Sequence, residues 1–239
     1  MLKVVEDVVK LNDESSLIEV FEDLIDMVNL NPKSIRLYFE QFVKLMSDAA
    51  MATNMSKEVR ILALEFLVVL AEMDNGVYRR SELYVRRAFM SALVMMLEIS
   101  DPPNWINDLD DESEEENEIY SEGEVAMDRL SQAFGSARVL KIAIPLIGKF
   151  LSHEDWKRRV AGLIAISQMA ESVDNEHAEK FVRTVSAFYK DQNPRVVFSA
   201  IHCIGQMCED FAPQIQKQLH GLVLPPLVEI LKNSKIVKF

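Results

Sequence analysis

Glycine and cysteine are both scarce in this chain. Seven glycines in 239 residues is about 3%, against a usual ~7%. Phosphate-cradling loops, tight hairpins and doubly wound sheets all consume glycine, so they are disfavoured at the outset. The two cysteines, Cys203 and Cys208, exclude a disulfide scaffold and fit a reducing compartment. They lie five apart beside His202, a spacing that does not bring two ligands to one helix face. No second Cys/His cluster follows, so they read as core thiols and no metal site is expected. No apolar run approaches the ~18 residues of a membrane span. The N-terminal stretch carries acids where a secretion signal needs an uninterrupted apolar block. The motifs G-x-S-x-G, G-x-x-x-x-G-K and H-E-x-x-H do not occur, and His153, His177 and His220 are isolated. Neither catalysis nor a cofactor is expected. Bases are also in deficit: 26 Lys and Arg against 38 Asp and Glu give a net charge of −12. That balance disfavours nucleic acid and anionic membrane as partners and favours basic proteins.

What the chain does have is a repeat. With Glu72, Glu171 and Glu209 as anchors, residues 56–72, 155–171 and 193–209 align. Small residues then coincide at Ala63, Gly162 and Ala200. Apolar ones coincide at Leu64/Leu163/Ile201, Leu67/Ile166/Ile204 and Leu70/Met169/Met207, an i, i+3, i+6 stripe of one helix face. The second and third anchors are 38 residues apart and the first two 99. Two periods of about 39 leave about 21 residues over, and an insertion of that size is visible at 101–124. It contains 11 acids and no Lys or Arg. Segments 12–29, 32–52, 80–99, 137–152, 177–190 and 213–232 show helical apolar spacing, with Asp13 or Ser15 as a cap for the first. Pro32, Pro194 and Pro213 stand at expected helix starts, while Pro145 and Pro225–Pro226 predict kinks or breaks. The expectation is an all-α fold of the α-α superhelix type. Antiparallel helix pairs would stack at a period near 39 residues, about six repeats over 1–239 interrupted by the acidic insertion at 101–124. The closing NSKIVKF, 233–239, reads as the opening of a further helix cut short, as in a piece of a longer array.

Paired helices of this period, with Val59-Arg60 ahead of the small position, resemble the HEAT repeat. Residues 104–171 resemble the importin-beta family more specifically, above all its importin-beta-3 (karyopherin-beta-3) subfamily. The carrying elements are a tryptophan-led acidic insert, a G-E-x-A-x-D-R-L helix and D-W-K-x-R-x-A-G-L-x-A-I; residues 193–213 resemble the repeat that follows. Two departures stand out: Phe134-Gly135-Ser136 in place of a Gly-Gly step, and Val197 in place of a repeat arginine. The resemblance implies a non-enzymatic nuclear import receptor that shuttles between cytoplasm and nucleus as a monomer. Such a receptor binds Lys/Arg-rich localisation segments of cargo on a concave face, releases them to Ran-GTP and touches phenylalanine-glycine nucleoporins. A HEAT scaffold subunit of a phosphatase or chromatin assembly would explain the repeats equally well. It would leave the acidic insert and the D-W-K stretch as coincidences.

Within the receptor reading, Asp128, Glu171, Glu209 and Asp210 are the expected contacts for a basic peptide. Asp128 and Glu171 are 43 residues apart and Glu171 and Asp210 are 39, about one repeat each. One repeat advances ~10 Å, which an extended peptide covers in about three residues. Trp156 is a further candidate contact through stacking on an aliphatic or cationic side chain, against simple packing on the adjacent repeat. In the insert, Asp108, Asp110, Asp111, Glu112, Glu114, Glu115 and Glu116 are expected to meet a basic surface of Ran or cargo. Trp105 would pin that loop. Calcium is a poor fit, because the sixth position of the Asp108-led run is Ser113 rather than glycine.

Overall fold

The computed structural model describes residues 13–73, 76–102, 105 and 117–233. They are helical, and no strand occurs among them. Ten α-helices carry the fold: α1 (Glu14–Leu30), α2 (Phe39–Ala50), α3 (Lys57–Met73), α4 (Glu82–Met95), α5 (Glu118–Phe134), α6 (Ile144–Leu151), α7 (Trp156–Met169), α8 (Ala178–Ser186), α9 (Pro194–Asp210) and α10 (His220–Asn233). The three aligned segments are α3, α7 and α9, within a residue or two of the spacing-based bounds.

Short polar side chains start the helices. Asp13 accepts from the Ser16 N–H (3.4 Å) and hydroxyl (2.7 Å). Asp155 accepts from Lys157 N (3.0 Å) and Asn193 from Arg195 N (2.9 Å), each satisfying an N–H that has no partner within the helix. Pro194 occupies the first turn of α9, where a missing N–H is harmless. The expected disturbances at proline appear in two forms. A π-helical turn, Val139–Ala143, precedes α6, which has Pro145 in its first turn. By contrast, α10 runs on through both Pro225 and Pro226. Pro213 lies in the turn ahead of a second π-helical turn, Ile215–Leu219. Gly135, with φ of 77°, ends α5 in the left-handed region that a side chain resists.

The chain forms two compact units, residues 1–96 with 119–134, and 97–118 with 135–239. In the first, α1 packs on α3 and α2 on α4, while α2 and α3 pack across as a hairpin joined by a six-residue turn. In the second, α7 packs on α9 and α8 on α10, and α6–α7 and α8–α9 pair across. Each unit is therefore two layers of helices with the apolar stripes between them. Ala63, Gly162 and Ala200, the small positions of the alignment, are all buried. At Gly162 the helices approach closely: a Cβ there would sit 2.8 Å from Leu151 Cδ2 on α6.

Two arginines, Arg60 buried and Arg159 half-buried, tie these hairpins together. Arg60 on α3 is 2% exposed and its Nε donates to the Ala50 carbonyl at the end of α2. Its repeat equivalent Arg159 donates to the carbonyls of His153 and Glu154 and, bidentately, to Asp191 at 2.8 and 2.9 Å. The carbonyls left over at a helix end are thereby satisfied by the next helix's arginine.

Candidate functional site

The predicted cargo-binding carboxylates fall on α5, α7 and α9 or on the turns that end them. Asp128 is half-buried on α5 and accepts from Gln132 Nε2 at 2.9 Å. Glu171 is exposed in the 3-10 turn Ala170–Ser172 that closes α7. Glu209 is exposed and Asp210 half-buried in the last turn of α9, where Asp210 accepts from Gln206 Nε2 at 3.1 Å. The last turns of α7 and α9 carry no basic residue. A carboxylate at a helix C-terminus faces the negative end of the helix dipole, an arrangement unfavourable by ~0.3–1 kcal/mol unless a cation compensates.

The equivalent position in the first unit shows that compensation. Glu72 ends α3, and Arg129 of α5 donates to it through Nε and Nη2, both at 2.8 Å. The same guanidinium reaches Glu65, one α3 face further back, at 2.6 and 3.0 Å. Both carboxylates hold Arg129 well above the ordinary arginine range, with hydrogen bonds to Glu72 the largest cause. Sequence reasoning missed this cluster, because 57 and 64 residues separate the partners. In the second unit, neither Glu171 nor Glu209 makes an ion pair among the described residues.

Trp156 opens α7 half-buried, and its ring lies under two cations, Arg195 at 5.3 Å and Lys157 at 5.6 Å. Trp105, 7% exposed, lies edge-on to Phe198 at 5.5 Å and under Arg195 at 4.7 Å. It does pin the root of the insert. Asp108, Asp110, Asp111, Glu112, Glu114, Glu115 and Glu116 lie outside the described residues. The insertion's last acids, Glu118, Glu122 and Glu124, are already in α5.

Cys203 is buried and Cys208 half-buried. Burial pushes both thiols up, Cys203 far more strongly. Among the described residues no group of His, Cys, Asp or Glu could hold a metal ion. No described helix is long and apolar enough to cross a membrane.

Helix pairs closed by arginines, with small residues at the contact positions, define the α-α superhelix class built of HEAT repeats. The importin-repeat family matches residues 52–141. Importin subunit beta-3 of Saccharomyces cerevisiae (strain ATCC 204508 / S288c) is 28% identical over 228 residues, covering 92% of this chain and 21% of that protein. The crystal structure of Kap121p bound to Pho4p matches 99% of this chain with a TM-score of 0.93 and 26% identity, over 24% of its own chain. Kap121p bound to RanGTP matches 96% with a TM-score of 0.90 and 27% identity, over 23% of its own chain. The chain is similar to these importin-beta karyopherins, and it spans about a fifth of the length of the curated relative it matches.

Proposed function

We propose that this chain supplies cargo-binding repeats of a nuclear import receptor. Asp128, Glu171, Glu209 and Asp210 receive Lys or Arg side chains of an extended basic segment, and Trp156, at the opposite end of α7 from Glu171, adds an aromatic contact. The observation that carries this reading is the contrast between helix ends. The acidic end of α3 holds Arg129 of α5, whereas Glu171 and Glu209, where α7 and α9 end, make no ion pair among the described residues. Charge-assisted bonds of the Arg129–Glu72 kind are what a cargo arginine would make there.

The relatives support the assignment. Kap121p has been crystallised bound to Pho4p, Ste12p, RanGTP and Nup53p. A Kap121p variant with three acids changed to lysine, 43 and 42 residues apart, has also been crystallised. The 43-residue step is that of Asp128 to Glu171 in this chain. On this reading the parent protein acts without catalysis and as a monomer. It shuttles between cytoplasm and nucleus, touches phenylalanine-glycine nucleoporins and yields its cargo to Ran-GTP. The acids of the insert, Asp108 to Glu116, contact Ran or the cargo.

Titration of a fluorescent Lys-rich peptide into the 239-residue chain at rising ionic strength tests the reading. Binding that weakens steadily with salt is expected, since the contacts are exposed charge pairs within reach of screening. Binding that is absent at low salt, or indifferent to salt, would contradict it.

A further inference from the structure

Four observations converge on the place where the acidic insert leaves the fold, all within the second unit. First, Lys157 and Arg195 stand in the same register of α7 and α9, each 14 residues ahead of its anchor glutamate. Both reach the same short stretch of chain. Lys157 Nζ donates to the Ile99 carbonyl at 2.9 Å, and Arg195 donates to the next carbonyl, Ser100. Second, the Ser100 N–H donates to Asn117 Oδ1 at 3.0 Å, so the chain entering the insert is bonded to the chain leaving it.

Third, Arg195 is 6% exposed, with its guanidinium stacked on both Trp105 at 4.7 Å and Trp156 at 5.3 Å and the Asp101 carboxylate at 3.5 Å. Removing an arginine from water is costly unless its charge and its donors are met, and here two indole faces, a carbonyl and a carboxylate meet them. Fourth, Arg195 lies in the first turn of α9, where the positive end of the helix dipole disfavours a cation. Nothing in the needs of α9 itself asks for an arginine there. Its contacts with Ser100, Asp101 and Trp105 are at the insert's root.

We propose that Arg195 is a positioning residue: stacked between Trp105 and Trp156, it clips the root of the acidic insert onto the N-terminal ends of α7 and α9. Lys157 and the Ser100–Asn117 bond close the clip. The described ends of the insert, Ser100–Asp101 and Asn117, are thus held at its root. Val197, which stands where the repeat pattern has arginine, is part of the same arrangement. The cation of this repeat is two residues earlier, and its target is the insert in place of the preceding helix. The clip concerns this chain's own residues, so it stands or falls without any partner. Its value to a receptor rests on the function proposed above.

Trp105 and Trp156 are the chain's only tryptophans, so the clip can be read spectroscopically. In a Trp156→Phe background, acrylamide quenching of Trp105 is compared for Arg195, Arg195→Met and Arg195→Lys. Cleavage within 103–116 by a Glu-specific protease is followed in parallel. The expected result is at least a twofold rise in quenching and a tenfold rise in cleavage rate for Arg195→Met, partial recovery for Arg195→Lys, and unchanged helical circular dichroism. Quenching and cleavage equal to the parent, with the helices intact, would overturn the clip. If Arg195→Met loses helix, Trp105→Ala, at a site outside every helix, decides: faster cleavage sustains the proposal and an unchanged rate overturns it.

Discussion

Tyr189 shows how a single residue records its surroundings. The residue is 7% exposed. Burial pushes the phenol up to about 12. The sign follows: the neutral phenol is favoured in the folded state, so the stability it lends is whole below pH 10 and drains away as pH rises toward 12. Tyr189→Phe is therefore expected to lose less stability than the parent between pH 10 and 12 in urea unfolding. Equal losses in the two would contradict the assignment. Arg60 makes a second test at this scale. Truncating its donors in Arg60→Met leaves a buried carbonyl unmet, for a loss of about 2–3 kcal/mol. The exposed pair Arg183–Glu179, by contrast, loses within about 0.5 kcal/mol on Arg183→Met. Similar urea midpoints for the two variants would remove Arg60 from its role as the tie between α2 and α3.

At the scale of elements, close helix approach is the governing demand, and two glycines measure it. A Cβ on Gly123 of α5 would lie 2.8 Å from the Ala92 carbonyl oxygen and 3.1 Å from the Met96 N, both backbone atoms. On Gly162 it would meet the Leu151 side chain, at 2.8 and 3.0 Å. A leucine can turn aside; a backbone cannot. Gly123→Ala should therefore cost more, about 2–3 kcal/mol. In Gly162→Ala the smaller strain is offset by ~1 kcal/mol of helix propensity. Thermal unfolding ranks the pair, and Gly162→Ala as the worse variant would contradict the packing. Gly162 was legible in the sequence because it coincided with Ala63 and Ala200. Gly123 had no such counterpart in the alignment. The helices themselves were legible wherever a 3.6-residue apolar stripe ran unbroken, as in α3, α7 and α9, and Asp13 could be read as the first cap. The 3-10 stretch Pro32–Tyr38 and the two π-helical turns were not, since they change the local rise without changing the apolar pattern. Arg129 was invisible because its partners are distant in sequence. Arg195 does carry a signal in the sequence, the register it shares with Lys157, two residues ahead of Val197 where the repeat pattern has arginine.

For the whole molecule, the net charge of −12 resolves into parts with separate roles. The eight acids of 101–117 account for most of it, leaving about −4 for the rest of the chain. The repeats therefore do not attract basic partners by bulk charge. On the proposed function they do so through particular carboxylates, Asp128 within α5 and Glu171 and Asp210 where α7 and α9 end. The central claim is that Asp128, Glu171 and Asp210 form the basic-peptide contact. It is tested most directly by measuring Lys-rich peptide affinity for the chain carrying Asp128→Lys, Glu171→Lys and Asp210→Lys together, with helical content checked alongside. Each lost charge-assisted bond is worth about 1.5–3 kcal/mol. An affinity loss of at least about a hundredfold with the fold intact is expected, and an affinity equal to that of the parent would rule this contact out.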